Sequence, residues 1–133
     1  MISGIMATAI FVRDLARCTA FYRDTLKLPY AWSDADSSTF HLQGQILTLI
    51  SVPGAADLLG SDPNTLKIDG ATRVVLAAGV EDVDAVYEAL SAEGVTFLRP
   101  PTDQPWEMRT AHFADPEGNI WEINQPMKAK AEE

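Results

Sequence analysis

One stretch, Gly118-Asn119-Ile120-Trp121-Glu122, repeats the pattern of Gly44-Gln45-Ile46-Leu47-Thr48 at a spacing of 74 residues (118 − 44). A second correspondence joins Asp14-Leu15 to Asp82-Val83 at a spacing of 68 residues (82 − 14). In both copies the acid follows an apolar run and precedes an amphipathic stretch. We therefore expect a duplicated unit whose two halves enclose a cleft, with corresponding residues facing each other across it.

The composition indicates one globular domain and argues against two classes of partner. The chain has 133 residues, of which 47% are hydrophobic and 22% are charged, and this is enough to bury a core. The net charge of −9 opposes binding to phosphate backbones, so we expect no nucleic-acid partner. The sequence shows neither a stretch of about 20 apolar residues nor a signal peptide. We therefore expect no membrane partner and a cytoplasmic location.

The first half, about residues 5–52, predicts a β-α-β-β-β unit. A strand is expected over Ile5–Val12, and Asp14 has the chemistry of a helix N-cap. The helix should bury one apolar face and end before Pro29. That face includes the only cysteine, Cys18, which we interpret as a small buried hydrophobe. Three short strands should follow, at Tyr30–Ser33, Thr39–Gln43 and Ile46–Val52.

The second half, about residues 72–126, predicts the same order of elements. A strand from Thr72 to Val80 precedes a helix that Glu81 or Asp82 begins and Gly94 ends. Residues 53–71 are expected to form a linker with a helical turn at Ala55–Leu59, and residues 127–133 a frayed tail. The remaining second-half elements are strands at Val95–Leu98, Met108–Ala114 and Ile120–Gln125, with a loop at Arg99–Pro105. The fold class is thus α+β, with two βαβββ modules in tandem that form a curved mixed sheet around a cleft.

Two sequence blocks carry a resemblance to a known family. The first is Val12-Arg13-Asp14-Leu15 followed by Phe21–Leu26. The second is Trp106-Glu107-Met108-Arg109 followed by Phe113–Glu122, which contains Asp-Pro-Glu-Gly-Asn. Together they resemble the vicinal oxygen chelate superfamily, and most closely its bleomycin-resistance branch. This superfamily also includes glyoxalase I, extradiol dioxygenases and fosfomycin-resistance enzymes. The resemblance implies the glyoxalase/bleomycin resistance-like fold and a homodimer, but the fold hosts many activities.

The resemblance also identifies four positions that hold a divalent ion in the metalloenzymes. Here they are Ala7, Thr48, Val75 and Glu122, and the two repeat spacings pair Ala7 with Val75 and Thr48 with Glu122. Alanine and valine offer no ligand atom, and threonine is a poor ligand for Zn²⁺ or Fe²⁺. We therefore expect no metal site and no cofactor.

Glu122 and His112 are the candidate reactive residues. Glu122 either faces the cleft as a ligand anchor or general base, or is held by Arg109 or a turn amide. His112 either pairs with Glu122 from the neighbouring strand or is an ordinary polar residue on the sheet. We expect Arg109 to have a structural role, bridging to Glu107 or Asp115 or holding a loop carbonyl.

Aromatic residues offer candidate walls for the cleft. Trp32 and Trp106 either stack on a planar or cationic ligand or pack at the rim. Trp121, next to Glu122, should point the opposite way into the core with Phe21, Tyr22, Tyr87 and Phe97, and His41 should lie at the surface. The predicted ligand-binding set is Trp32, Thr48, Trp106, Met108, Thr110, His112 and Glu122.

Three functions remain open at this point. The first is a metal-free protein that binds a small molecule and sequesters a drug or metabolite, as in antibiotic resistance. The second is a lyase, isomerase or dioxygenase acting on a small carbonyl or aromatic compound, with Glu122 as base and His112 as acid, or with a metal held by these two residues and water. The third is a domain with a vestigial cavity that serves protein association.

Overall fold

The computed structural model describes residues 1–69 and 74–127. The chain divides into two compact units, Met1–Ala71 and Thr72–Glu133. Within the described ranges, no helix is long and apolar enough to cross a membrane. Parts of the predicted linker (70–71), of the predicted strand from Thr72 (72–73) and of the predicted tail (128–133) lie outside the described residues.

The first unit is a four-stranded mixed sheet with helices. Its strand order is β1-β4-β3-β2, in which β1 runs parallel to β4 and the other neighbours are antiparallel. The elements are β1 (Ala7–Val12), α1 (Leu15–Ala20) with a π-helical continuation (Phe21–Thr25), β2 (Tyr30–Ser33), β3 (Ser37–Leu42), β4 (Gln45–Ser51) and α2 (Val52–Leu59).

The second unit repeats this topology, with strand order β5-β8-β7-β6 and β5 parallel to β8. Its elements are β5 (Val75–Gly79), α3 (Val83–Ala92), β6 (Phe97–Asp103), β7 (Met108–Ala114) and β8 (Ile120–Pro126). The α+β class and the two βαβββ modules are therefore confirmed.

The strand registers confirm the internal repeat residue by residue. Ala9 lies opposite Thr48 across β1 and β4, and Ala77 lies opposite Glu122 across β5 and β8. These pairs are related by the same two spacings that the sequence shows, 68 (77 − 9) and 74 (122 − 48). The duplicated sequence pattern therefore encodes the same strand pairing in both units.

Both predicted helix starts are confirmed. The carboxylate of Asp14 accepts the backbone N–H of Arg17 at 3.0 Å, and that of Asp82 accepts the N–H of Ala85 at 3.1 Å. Each bond satisfies an amide that has no partner within its helix. Gly94 follows α3 with φ +86°, the left-handed conformation that favours glycine after a helix.

The predicted loop at Arg99–Pro105 is wrong over most of its length. Strand β6 extends from Phe97 to Asp103 and includes both Pro100 and Pro101. It is the edge strand of its sheet, where a residue without an N–H loses no bond to a neighbour on the open side. Its register shifts twice between Phe97 and Thr102, which accommodates the prolines.

The predicted linker also begins with more structure than one helical turn. Helix α2 covers Val52–Leu59, and the Ser51 hydroxyl caps it by accepting the N–H of Gly54 at 3.2 Å. Pro53 stands in the first turn, where a helix tolerates proline. A Cβ on Gly54 would come within 2.8 Å of the Asp36 Cβ, so the glycine allows α2 to start directly at the end of β4.

Aromatic side chains form the core on the helical side of each sheet. In the first unit Tyr22 contacts Phe40, with ring centroids 6.1 Å apart, and both are fully buried, as is Cys18. In the second unit Phe113 stacks on Trp121 at 6.3 Å. Tyr22 and Trp121 are thus core residues as predicted, whereas the other predicted core aromatics, Phe21, Tyr87 and Phe97, are half-buried.

Candidate functional site

A polar cluster of three side chains, His112, Glu122 and Asn124, occupies the β7–β8 pair. His112 lies directly opposite Glu122 in the register, and its Nε2 is 3.0 Å from Glu122 Oε1. Asn124 Nδ2 donates to Glu122 Oε2 at 2.8 Å. The predicted pairing of His112 with Glu122 is confirmed, and the alternative in which Arg109 or a turn amide holds Glu122 is wrong.

The cluster lies on the sheet face opposite α3. Side chains alternate between the two faces of a strand, and the neighbours Phe113 and Trp121 belong to the aromatic core. His112 and Glu122 therefore point away from that core, and their side chains are 22% and 21% exposed. The carboxylate is partly shielded from water yet open to a ligand.

The β7–β8 turn sets this register. The Asp115 carboxylate accepts the backbone N–H groups of Glu117 and Asn119 at 2.8 and 2.9 Å. It also accepts the Asn119 side-chain amide at 2.7 Å. Gly118 completes the turn at φ +85°, a conformation that strains residues with a side chain. The Asp-Pro-Glu-Gly-Asn motif thus fixes where Glu122 stands in the sheet.

The hydrogen bonds of the cluster define which atoms remain available. An ionised carboxylate only accepts hydrogen bonds, so the imidazole donates from Nε2 to Glu122. In the neutral ring Nδ1 is then an acceptor, and His112 has no second hydrogen-bond partner among the described residues. Glu122 already receives a hydrogen bond on each oxygen. With Nε2 donating to Glu122, the cluster presents acceptors only, namely Nδ1 of His112 and the remaining lone pairs of the two Glu122 oxygens.

The other predicted site residues differ in exposure. The side chains of Trp32 and Trp106 are both open, with 51% and 63% of the residue surface exposed. Thr48 is half-buried, and its hydroxyl is 3.3 Å from that of Thr39. Two further members lie on β7: Met108 is half-buried, and Thr110 is buried and accepts a hydrogen bond from Gln104 at 3.0 Å. His41 is exposed, as predicted.

Arg109 has the structural role expected of it, but with different partners. Its guanidinium makes two hydrogen bonds of 2.8 Å to Asp84 on α3 and one of 2.9 Å to Asp103 on β6. The predicted bridges to Glu107 or Asp115 are therefore wrong. The two hydrogen bonds to Asp84, and next the one to Asp103, raise the pKa of Arg109 above its ordinary value. Alternation along β7 places Arg109 on the α3 face, which is why it reaches the helix instead of the turn.

Arg109 also lines a surface pocket of about 640 Å³ in the second unit. The pocket does not include His112 or Glu122. Its other lining residues are Glu81, Asp82, Asp84, Asp103, Gln125 and Met127.

Asn124 is the cluster residue that sequence reasoning missed. It stands two residues after Glu122 on the same strand, so alternation alone places both on one face. Its amide donates to Glu122 and stabilises the carboxylate without changing its charge. Applying the period-two rule beyond Glu122 would have identified it.

The same sequence matches a known family model. The model describes the glyoxalase/bleomycin resistance protein/dioxygenase superfamily and matches residues 4–123. The chain belongs to this superfamily. The Bacillus subtilis protein YraH is 30% identical over 122 residues, which cover 90% of this chain and 95% of YraH.

Solved structures of the superfamily share the fold. A glyoxalase/bleomycin resistance protein/dioxygenase from Nocardioides superposes with a TM-score of 0.82 at 25% identity, covering 100% of this chain and 90% of that one. A lactoylglutathione lyase from Agrobacterium tumefaciens has a TM-score of 0.73 at 23% identity, covering 92% of this chain and 93% of that one. At this lower identity, the second likeness concerns the fold alone.

The residues at the four positions that the sequence resemblance identifies for a metal do not fit a divalent ion. Ala7, Val75 and Thr48 provide no imidazole, carboxylate or thiolate, whereas a catalytic zinc site uses about three such ligands. Among these four residues, Glu122 is the one with a suitable ligand group. Across residues 1–69 and 74–127, no three His, Cys, Asp or Glu side chains lie together in a metal-binding arrangement.

Proposed function

We propose that this superfamily member is a metal-free protein that binds a small molecule, sequestering a drug or metabolite. The observation that carries the proposal is the His112–Glu122–Asn124 cluster on the sheet face opposite α3. A half-buried carboxylate held by two donors is a preorganised polar anchor of the kind that small-molecule sites use. The donor-poor metal positions support binding without an ion.

The chemistry of the cluster indicates the class of ligand. With Nε2 donating to Glu122, Nδ1 of His112 and the remaining lone pairs of Glu122 are acceptors, so the ligand should carry an O–H or N–H donor. The exposed indoles of Trp32 and Trp106 offer flat apolar surfaces, which favour a planar aromatic compound. The ligand contacts that we propose are Trp32, Thr48, Trp106, Met108, Thr110, His112 and Glu122.

A ligand-dependent thermal shift tests this proposal. The protein is screened with planar phenols and anilines, and hits are repeated on Glu122→Gln and on Glu88→Gln, a matched change at an exposed position of α3. We expect the ligand-induced rise in Tm to be lost in Glu122→Gln and kept in Glu88→Gln. An equal rise in Glu122→Gln would refute the assignment of Glu122.

An enzymatic function is the second candidate, favoured by the 3.0 Å contact of His112 with Glu122. This pair has the geometry needed to move a proton, so a lyase or isomerase acting on a small carbonyl compound would use Glu122 and His112 as its catalytic residues. Turnover of an α-keto aldehyde adduct, abolished by His112→Phe, would establish it. Absence of turnover alongside retained ligand binding would exclude it in favour of sequestration.

We also propose that the protein is a cytoplasmic homodimer. The N-terminal segment exposes Met1, Ile2, Ile5 and Met6, each more than three-quarters accessible. Apolar side chains left open to solvent in one short segment favour association. Sedimentation equilibrium should give twice the chain mass of 14.5 kDa, and a mass of one chain at every concentration would contradict the dimer.

A further inference from the structure

Four hydroxyl groups form a continuous chain in the first unit. Tyr30 OH is 2.6 Å from Ser33 Oγ, which is 2.9 Å from Ser38 Oγ. Ser38 Oγ is 2.7 Å from Thr19 Oγ1, and Thr19 donates to the Leu15 carbonyl at 2.7 Å. The chain thus runs from the exposed edge strand β2, through β3, to helix α1.

The direction of every hydrogen bond in this hydroxyl chain follows from the bond at its inner end, at Thr19. Each hydroxyl has one proton to donate. Thr19 uses its proton on the Leu15 carbonyl, so it accepts from Ser38, which in turn accepts from Ser33. Ser33 then accepts from Tyr30, as its geometry shows. Because all four bonds point the same way, each polarises the next, and the loss of one weakens the others.

The outermost bond of the hydroxyl chain, from Tyr30 to Ser33, spans an irregularity in β2. Residues three apart on a regular strand point to opposite faces, yet Tyr30 and Ser33 bond to each other through their side chains. The register shifts between Tyr30, opposite Phe40, and Trp32, opposite Thr39. A bulge of this kind redirects the side chains that it carries. Here it allows Tyr30 and Ser33 to share the α1 face while Trp32 takes the other.

Core packing does not fix this bulge. All four residues of β2 are exposed, and Trp32 is 51% exposed. The Tyr30 ring does contact Phe40, at 5.7 Å between centroids, and lies 5.8 Å from the Arg23 guanidinium carbon. These contacts hold the ring of Tyr30 but not the backbone that follows it. Main-chain hydrogen bonds hold the two ends of the bulge, from the His41 N–H to the Pro29 carbonyl at 2.9 Å and from the Asp34 N–H to the Ser37 carbonyl at 3.0 Å. The bond from Tyr30 to Ser33 is the side-chain hydrogen bond that spans the bulge around Trp32.

We propose that the hydroxyl chain of Tyr30, Ser33, Ser38 and Thr19 positions the indole of Trp32. These four are positioning residues, and Trp32 is the specificity-determining residue that presents a flat surface to an aromatic ligand. The ligand contact rests on the proposed function, whereas the orientation of Trp32 is a property of the free protein. The two claims can therefore fail separately.

Fluorine NMR of ligand-free protein labelled with 5-fluorotryptophan tests the positioning. The chain has three tryptophans, so three signals report on Trp32, Trp106 and Trp121. We expect Tyr30→Phe, which removes one hydroxyl and keeps the ring, to shift or broaden the Trp32 signal alone. Tyr87→Phe, the same change in the second unit, should leave the Trp32 signal in place.

A second variant changes the opposite end of the hydroxyl chain, at Thr19. Thr19→Val is nearly isosteric and lies on α1, yet it should also move the Trp32 signal because it removes the hydroxyl that accepts from Ser38. Circular dichroism verifies that each variant remains folded. An unchanged Trp32 signal in folded Tyr30→Phe and Thr19→Val would overturn the proposal. If the signal moves as expected, the hydroxyl chain positions Trp32. If Trp32→Ala nevertheless leaves ligand binding intact, that result counts against the proposed function alone.

Discussion

Replacing Asp115 by alanine should destabilise the protein more than any other single change in the β7–β8 turn. Asp115 is 5% exposed, and its carboxylate accepts three donors at 2.7–2.9 Å. A hydrogen bond to a charged group contributes about 1.5–3 kcal/mol, and the contributions of neighbours are not additive. We therefore expect Asp115→Ala to lower the free energy of unfolding by roughly 3–5 kcal/mol.

Urea denaturation followed by tryptophan fluorescence measures this loss, since Trp121 lies in the adjacent core. Asp115→Asn is the matched control, because its carbonyl oxygen can still accept the amides of Glu117 and Asn119. It should lose about half as much free energy as the alanine variant. A loss below about 1 kcal/mol in Asp115→Ala would refute the claim that these bonds hold the turn.

Three further predictions concern packing, an ion pair and an acid-dependent turn. Phe113→Ala should lower the free energy of unfolding by about 3–5 kcal/mol, because it removes a buried ring stacked on Trp121; a loss under 1 kcal/mol in urea titrations would show that the site collapses freely. Arg109→Lys should lower the free energy of unfolding by only about 0.5–1 kcal/mol, since Asp84 is half exposed. This loss should be smaller in 1 M salt, which screens ion pairs. A loss that does not change with salt would contradict an ion-pair origin. The pKa of Asp34 lies below its ordinary 3.8 because the carboxylate accepts the backbone N–H of Asp36 and a serine hydroxyl. Its contribution to the stability of the folded state is therefore complete only well above the ordinary pKa, and it is lost as the pH falls through the lowered pKa. Asp34→Asn should remove this part of the fall in Tm with acid, and an identical pH profile of Tm would contradict the prediction.

Local chemistry allowed the helix starts and the central hairpin to be predicted. Asp14 and Asp82 each precede an amphipathic stretch, and this combination leaves few alternatives to an N-cap. The pairing of His112 with Glu122 follows from alternation on two strands joined by a recognisable turn. These features depend on residues close together in the sequence, so a single chain reveals them.

Features that depend on tertiary neighbours were not predictable. Pro100 and Pro101 indicate a loop by local propensity, but the edge position of β6 makes a strand possible. The partners of Arg109 likewise depend on where α3 and β6 pass. The hydroxyl chain from Tyr30 to Thr19 joins three elements, and no sequence spacing signals it.

The most direct test of a metal-free binding site is native mass spectrometry of the protein after incubation with a small-molecule extract of cells. We expect a complex with one organic compound per chain, lost in Glu122→Gln and retained in Glu88→Gln, with no added mass from a transition metal. A stoichiometric zinc or iron adduct that disappears in Glu122→Gln would contradict the account.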